Sequence, residues 1–129
     1  MTVWDKLTGQ SEAVEVFRSA ASAAALPSTV ESGAETTSAA ALGGAMTHSW
    51  LITGPPGSGR SNLAFAFASA LLCRNGGCGV CADCRQVKAS THPDLAVLAT
   101  DRVIISIDEV RGLVANSQFS PAVSRYRVM

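Results

Sequence analysis

No charge of either sign is in excess in this sequence: ten lysines and arginines balance ten aspartates and glutamates over 129 residues, for a formal net charge of zero. A chain without a basic field has no long-range attraction for a phosphate backbone, which argues against a stand-alone, charge-driven nucleic-acid binder. Long hydrophobic runs are missing too. Although 47% of the residues are hydrophobic, no stretch approaches the roughly 18 apolar residues of a membrane span. The start, Met1-Thr2-Val3-Trp4-Asp5-Lys6, has neither the charged opening nor the apolar centre of a signal peptide. There is no internal repeat, and cysteine is absent outside one short stretch. These absences leave the expectation of a soluble, cytoplasmic, globular chain with one domain's worth of length.

What is present begins with Gly54-Pro55-Pro56-Gly57-Ser58-Gly59-Arg60-Ser61. It follows the phosphate-loop pattern G-x-x-x-x-G-K-[ST] except that arginine stands in the lysine position. In that pattern backbone N–H groups cradle an anion, the lysine reaches the outer phosphates, and the hydroxyl residue takes Mg²⁺. The apolar run His48–Thr53 before the loop reads as a buried strand. Asn62–Leu72 after it, rich in Ala and Leu, reads as a helix whose N-terminus faces the loop. The plain alternative is a Gly/Pro turn between strand and helix. Candidate nucleotide-binding residues are Gly54, Gly57, Ser58, Gly59, Arg60 and Ser61, with ATP or ADP and Mg²⁺ as ligand. Arg60 keeps the positive charge but replaces a compact ammonium with a wide planar fork. Nucleotide binding is compatible with that exchange; efficient hydrolysis is not expected, and no catalytic residue is assigned.

Cys73, Cys78, Cys81 and Cys84 make a C-x4-C-x2-C-x2-C cluster, with Gly76, Gly77 and Gly79 permitting tight turns. In a cytosolic chain, clustered thiols point to a metal and not to disulfides. Four thiolates match a closed, tetrahedral, structural Zn²⁺ site. An iron–sulfur cluster and a set of free thiols are the alternatives; the plant-type iron–sulfur spacing needs a distant fourth cysteine, and none exists. Cys73 is the least constrained ligand. His92 could replace it, although His92-Pro93-Asp94 more simply forms a turn.

Elsewhere, Ser11 to Ala25 predicts a helix, with Val14, Phe17 and Ala21 on one face and Pro27 ending it. Residues 28–45, nearly all Ser, Thr, Ala, Gly and Glu, read as a disordered insertion. Helix is expected again over Arg85–Lys88. Leu95–Leu98 and Val103–Ile105 are strand candidates, and Tyr126–Met129 looks like the opening of another. The apolar run Ile104–Ile107 ending in Asp108-Glu109 imitates the acidic strand end of ATPases that holds Mg²⁺. Ser106-x-x-Glu109 is better read as a capping box opening a helix from about Ile107 to Asn116.

Several segments together resemble the delta-prime family of bacterial DNA polymerase III clamp-loader subunits. They are Trp4-Asp5-x-Leu7-x-Gly9-Gln10-x-Glu12-Ala13, His48–Pro55, the cysteine module, His92-Pro93-Asp94 and Ile107-Asp108-Glu109-Val110-Arg111. The resemblance implies an α/β fold, a partial P-loop AAA+ module with an incomplete parallel sheet and an inserted zinc module at 73–84. Residues 1–129 would be the N-terminal part of that module, a piece of a longer protein lacking the acidic strand, lid and collar. The implied function is DNA replication: a stator that helps load the sliding clamp onto primed DNA, with gamma/tau and delta subunits as partners. The intact lysine belongs to the motor subunits, so Arg60 favours the stator. An ATP-hydrolysing gamma/tau-type motor and an unrelated P-loop kinase with a zinc module are the competing readings.

Overall fold

The computed structural model describes residues 1–25 and 46–129; the expected insertion at 28–45 lies outside the described residues. Among the described residues, four α-helices follow a single 3-10 turn, Val3–Lys6: α1 (Ser11–Ala25), α2 (Arg60–Leu72), α3 (Ala82–Lys88) and α4 (Ile107–Ser117). The central element is α2, packed by α1, α3 and the 3-10 turn.

The alanines explain how one helix can serve three neighbours. Leu63, Ala66, Phe67, Ala68, Ser69, Ala70 and Leu72 of α2 are all buried. Small side chains let other backbones approach on several sides, while Leu63, Phe67 and Leu72 fill the remaining space. Against one face lie Trp4, Phe17, Ala20 and Ala21, which with Leu63, Ala66, Phe67 and Ala70 form the main core. Phe17, Phe67 and Trp50 meet as an aromatic trio, with the Phe17 and Phe67 rings edge to face at 4.8 Å and Trp50 tilted 4.7 Å from Phe17. Such contacts each add about 0.5–1.5 kcal/mol beyond the area buried. The predicted period in α1 is realised: Phe17, Ala20, Ala21 and Ala24 are its buried residues. A smaller core joins Ala68, Leu72 and Val87 of α3.

The expected parallel sheet is not formed among the described residues. His48–Thr53 carries no strand pairing there: Leu51 is 90% exposed, and Trp50 contributes only its ring to the core. A strand is stabilised by a neighbour's ladder of N–H and C=O groups, and no described segment pairs with 48–53 to provide one. Val103–Ile105 is likewise exposed and unpaired, contrary to the strand expected there. Leu95 alone makes a parallel bridge, to Val128. The Ala96 N–H donates to Val128 O at 2.9 Å and the Val128 N–H to Asp94 O at 2.8 Å. The two outer strand expectations thus meet in one bridge.

The capping box is present. Ser106 Oγ accepts the Glu109 N–H at 3.3 Å, and Glu109 Oε2 accepts the Ser106 N–H at 2.7 Å. The Ser106 hydroxyl and N–H hold the Glu109 carboxyl below its usual range. Asp108 and Glu109 therefore sit in the first turn of α4, at its positive dipole end, and not at a strand end. None of the residues of α4 is buried.

Candidate nucleotide loop and metal centre

The glycine loop opens α2 directly. Gly59 is the residue before the helix and holds φ 81°, ψ 15°, a left-handed conformation open to glycine. Its carbonyl accepts the Leu63 N–H at 3.0 Å, closing the first helical turn. The loop doubles back at Pro55, whose carbonyl takes the Ser58 N–H at 3.2 Å. A Cβ at Gly54 would lie 2.9 Å from Ser58 Oγ and 3.5 Å from Arg60 Cδ, so both side chains fold across Gly54. Ser58 Oγ is buried with no hydrogen-bond partner among the described residues.

Beside the loop is a cavity of about 290 Å³. Its walls are Gly54, Gly57, Ser58, Gly59 and Arg60 on one side and the Lys6–Gln10 segment on the other. Five of the six predicted loop residues thus face one cavity; Ser61 is exposed on the first turn of α2. The free N–H groups at the start of a helix make this end attractive to an anion.

The four cysteines converge. Their Sγ atoms all lie within 4.8 Å of one another; Cys73 is 3.8 Å from Cys78 and 3.6 Å from Cys81. A metal–sulfur bond of about 2.3 Å in a tetrahedron puts its sulfurs about 3.8 Å apart, so the spacing fits a four-sulfur metal site. Cys73, the ligand in doubt from sequence, is part of the cluster, and His92 is not. Backbone N–H groups point at sulfur, among them Asn75 to Cys73 at 3.3 Å, Gly79 to Cys84 at 3.3 Å and Cys84 to Cys81 at 3.4 Å.

These contacts split the thiols electrostatically. The N–H groups of Val80 and Cys81 hold Cys78 down to about 6. Burial pushes Cys73 up, but the N–H groups of Cys78, Asn75 and Gly77 outweigh it and leave it below the usual thiol range. Cys81 accepts the Cys84 N–H, yet burial and crowding by Cys73 and Cys78 leave it raised. Burial pushes Cys84 well up. Four thiolates this close repel one another unless a cation lies between them.

Sequence reasoning read His92-Pro93-Asp94 as a turn and missed what it holds. Asp94 is fully buried, and its carboxylate accepts the N–H groups of Ala122, Val123 and Ser124. His92 Nδ1 accepts the Asp94 N–H at 3.1 Å, so a neutral ring carries its proton on Nε2. That nitrogen lies 3.4 Å from Ser124 Oγ and 3.8 Å from Asp83 Oδ1. A ring with this tautomer cannot take the serine's proton, so the Ser–His–Asp grouping is a latch and not a nucleophile with its base.

The family model described as DNA polymerase III, delta subunit, matches residues 33–129. The chain belongs to that family. Among its relatives, it is 41% identical over 73 residues to the DNA polymerase III subunit delta' of Pseudomonas aeruginosa, covering 52% of this chain and 22% of that protein. It is 32% identical over 90 residues to the DNA polymerase III subunit tau of Escherichia coli, covering 66% of this chain and 14% of that one. The gamma/tau subunit of Mycobacterium tuberculosis is 31% identical over 90 residues, covering 66% and 16%. The chain thus spans under a quarter of the length of these relatives. No solved structure matches it. Membership of the DNA polymerase III delta-subunit family removes the unrelated kinase reading. Among the described residues, no helix is long and apolar enough to cross a membrane.

Proposed function

We propose that this chain serves DNA replication in the cytoplasm as a delta-prime-type subunit of a DNA polymerase III clamp loader, a stator and not a motor. The observation that carries the reading is Arg60. It occupies the position where a phosphate loop needs a compact ammonium, and its side chain lies folded over Gly54. ATP or ADP would be held chiefly by the N–H groups of Gly57 to Ser61, with the Ser61 hydroxyl available to Mg²⁺ and Arg60 supplying charge. Hydrolysis needs transition-state charge to be met from several sides, and this loop offers one.

Zn²⁺ is the ion that best suits the four sulfurs; it supplies a closed structural cross-link with no open coordination position. Cys73 would tie it to the end of α2, and Cys81 and Cys84 to α3. The partners on this reading are the gamma/tau and delta subunits, with the sliding clamp and primed DNA reached through the assembly. A chain of balanced charge has little affinity of its own for DNA.

The gamma/tau-type motor is the second reading, favoured by the alignment to tau over 90 residues. ATP turnover by the subunit carrying this sequence separates the two. The stator reading expects turnover at background level for the wild type and for Arg60→Lys alike, together with recovery of gamma/tau and delta in a pull-down. Turnover at a motor subunit's rate would overturn it.

A further inference from the structure

Residues 122–128 touch much of the molecule by polar contacts. Three of their N–H groups end on the Asp94 carboxylate. The Tyr126 hydroxyl donates to Ala24 O at 2.9 Å, and Arg125 Nη1 to Ala25 O at 3.3 Å, so this segment caps the last turn of α1. Val128 bridges to Leu95. Ser124 is the member that faces the cysteine module. Its Oγ donates to Leu72 O at 3.4 Å, one residue before Cys73. The same Oγ meets His92 Nε2, and that nitrogen also faces Asp83, which lies between Cys81 and Cys84. The chain beside Cys73, at Leu72, and the chain between Cys81 and Cys84, at Asp83, therefore border Ser124 or its histidine neighbour.

We propose that the cysteine cluster, when it holds its metal ion, fixes residues 122–128 through Leu72, Asp83, His92 and Ser124, so that metal occupancy governs the capping of α1. The inference rests on the metal reading above. Its physical basis is that metal binding and local folding are one equilibrium in such modules. Without the ion, the four thiols have no reason to stay converged, and the relative placement of α2's end and α3 loosens. His92 is then left between two groups that no longer hold a fixed separation. Ser124 loses its polar neighbours, and the N–H groups on Asp94 open more often. The path is one of contiguous contacts with a two-state element, the loaded or unloaded module, at one end.

Amide hydrogen exchange on the chain, loaded with one zinc or treated with chelator under reducing conditions, tests this. Chelation is expected to speed exchange at Val123 and Ser124 by roughly tenfold or more, while amides of α2 such as Phe67 keep their protection. Ser124→Ala should bind one zinc like the wild type, yet exchange at Val123 should no longer respond to chelator. His92→Asn is the second variant: its oxygen can take the Asp94 N–H in place of Nδ1, and it gives up the contacts of Nε2. Faster exchange at Asn75 and Gly79 on chelation, with Val123 and Ser124 unchanged, would overturn the coupling. Equal acceleration at Phe67 would also overturn it, since that is global unfolding. So would a full response to chelator in both variants. Absence of zinc by metal analysis would instead defeat the metal reading, and the coupling with it.

Discussion

Asp94→Asn is expected to destabilise the chain by about 2–3 kcal/mol at neutral pH. The carboxylate accepts three N–H groups; an amide in the same place keeps one oxygen and turns an NH₂ toward the remaining donors. Each orphaned donor costs about 1–3 kcal/mol when fully buried. Ala122 and Val123 are exposed residues, so water recovers part of that cost and the lower end applies. A second route gives a similar size. Burial pushes the Asp94 carboxyl up, but the N–H groups of Ala122, Ser124 and Val123, with His92 beside them, hold it down from 3.8 to about 2. A depression of that size corresponds to roughly 2 kcal/mol. The sign follows from the direction. A folded-state value below the unfolded one stabilises the fold above pH 3.8, and that contribution is lost as pH falls toward 2. Urea unfolding of both proteins, followed by the fluorescence of Trp4 and Trp50, measures the difference, and contributions that the two share cancel in it. The wild type's advantage should be flat from pH 7 to about 4 and shrink below. An advantage under 0.5 kcal/mol at pH 7 (roughly the scatter of neutral surface substitutions), or one that persists undiminished at pH 2, would refute the reasoning.

Phe67→Ala removes the ring that Phe17 and Trp50 pack against and should cost about 3–5 kcal/mol, read as a lowered urea midpoint. Gly77→Ala should cost about 2 kcal/mol or more, from strain at φ 91° and from a Cβ placed 2.6 Å from Val3 Cγ2 and 3.3 Å from Ala70 Cα. Thermal unfolding checks it, and a melting temperature equal to that of the wild type would count against the close seat of the cysteine module on α2. Ser106→Ala should cost only about 1 kcal/mol and register as faster amide exchange in α4, with the α1–α2 core unchanged, because α4 buries none of its residues.

The helices were legible because their signals are local. Ala and Leu in 62–72, the Val14–Phe17–Ala21 period and the Ser106–Glu109 box each act within a few residues, and α2, α1 and α4 lie where those signals put them. The strands were not, for the reason that makes strands strands. His48–Thr53 has strand composition, but composition supplies no partner, and the pairing that would turn it into a strand is absent among the described residues. The cysteine cluster was legible for the same reason as the helices: all four thiols fall within twelve residues, so chain geometry alone forces them together. The latch at Asp94 was invisible because its donors stand 28 to 30 residues away and are backbone groups, which carry no residue identity to read. His92, weighed from sequence as a possible metal ligand, illustrates the difference. Its Nδ1 already accepts the Asp94 N–H, and with Nε2 turned to Ser124 and Asp83 neither nitrogen is left for a metal. The residue that sequence offered as a substitute ligand instead stands between Asp83, in the segment that carries the ligands, and Ser124.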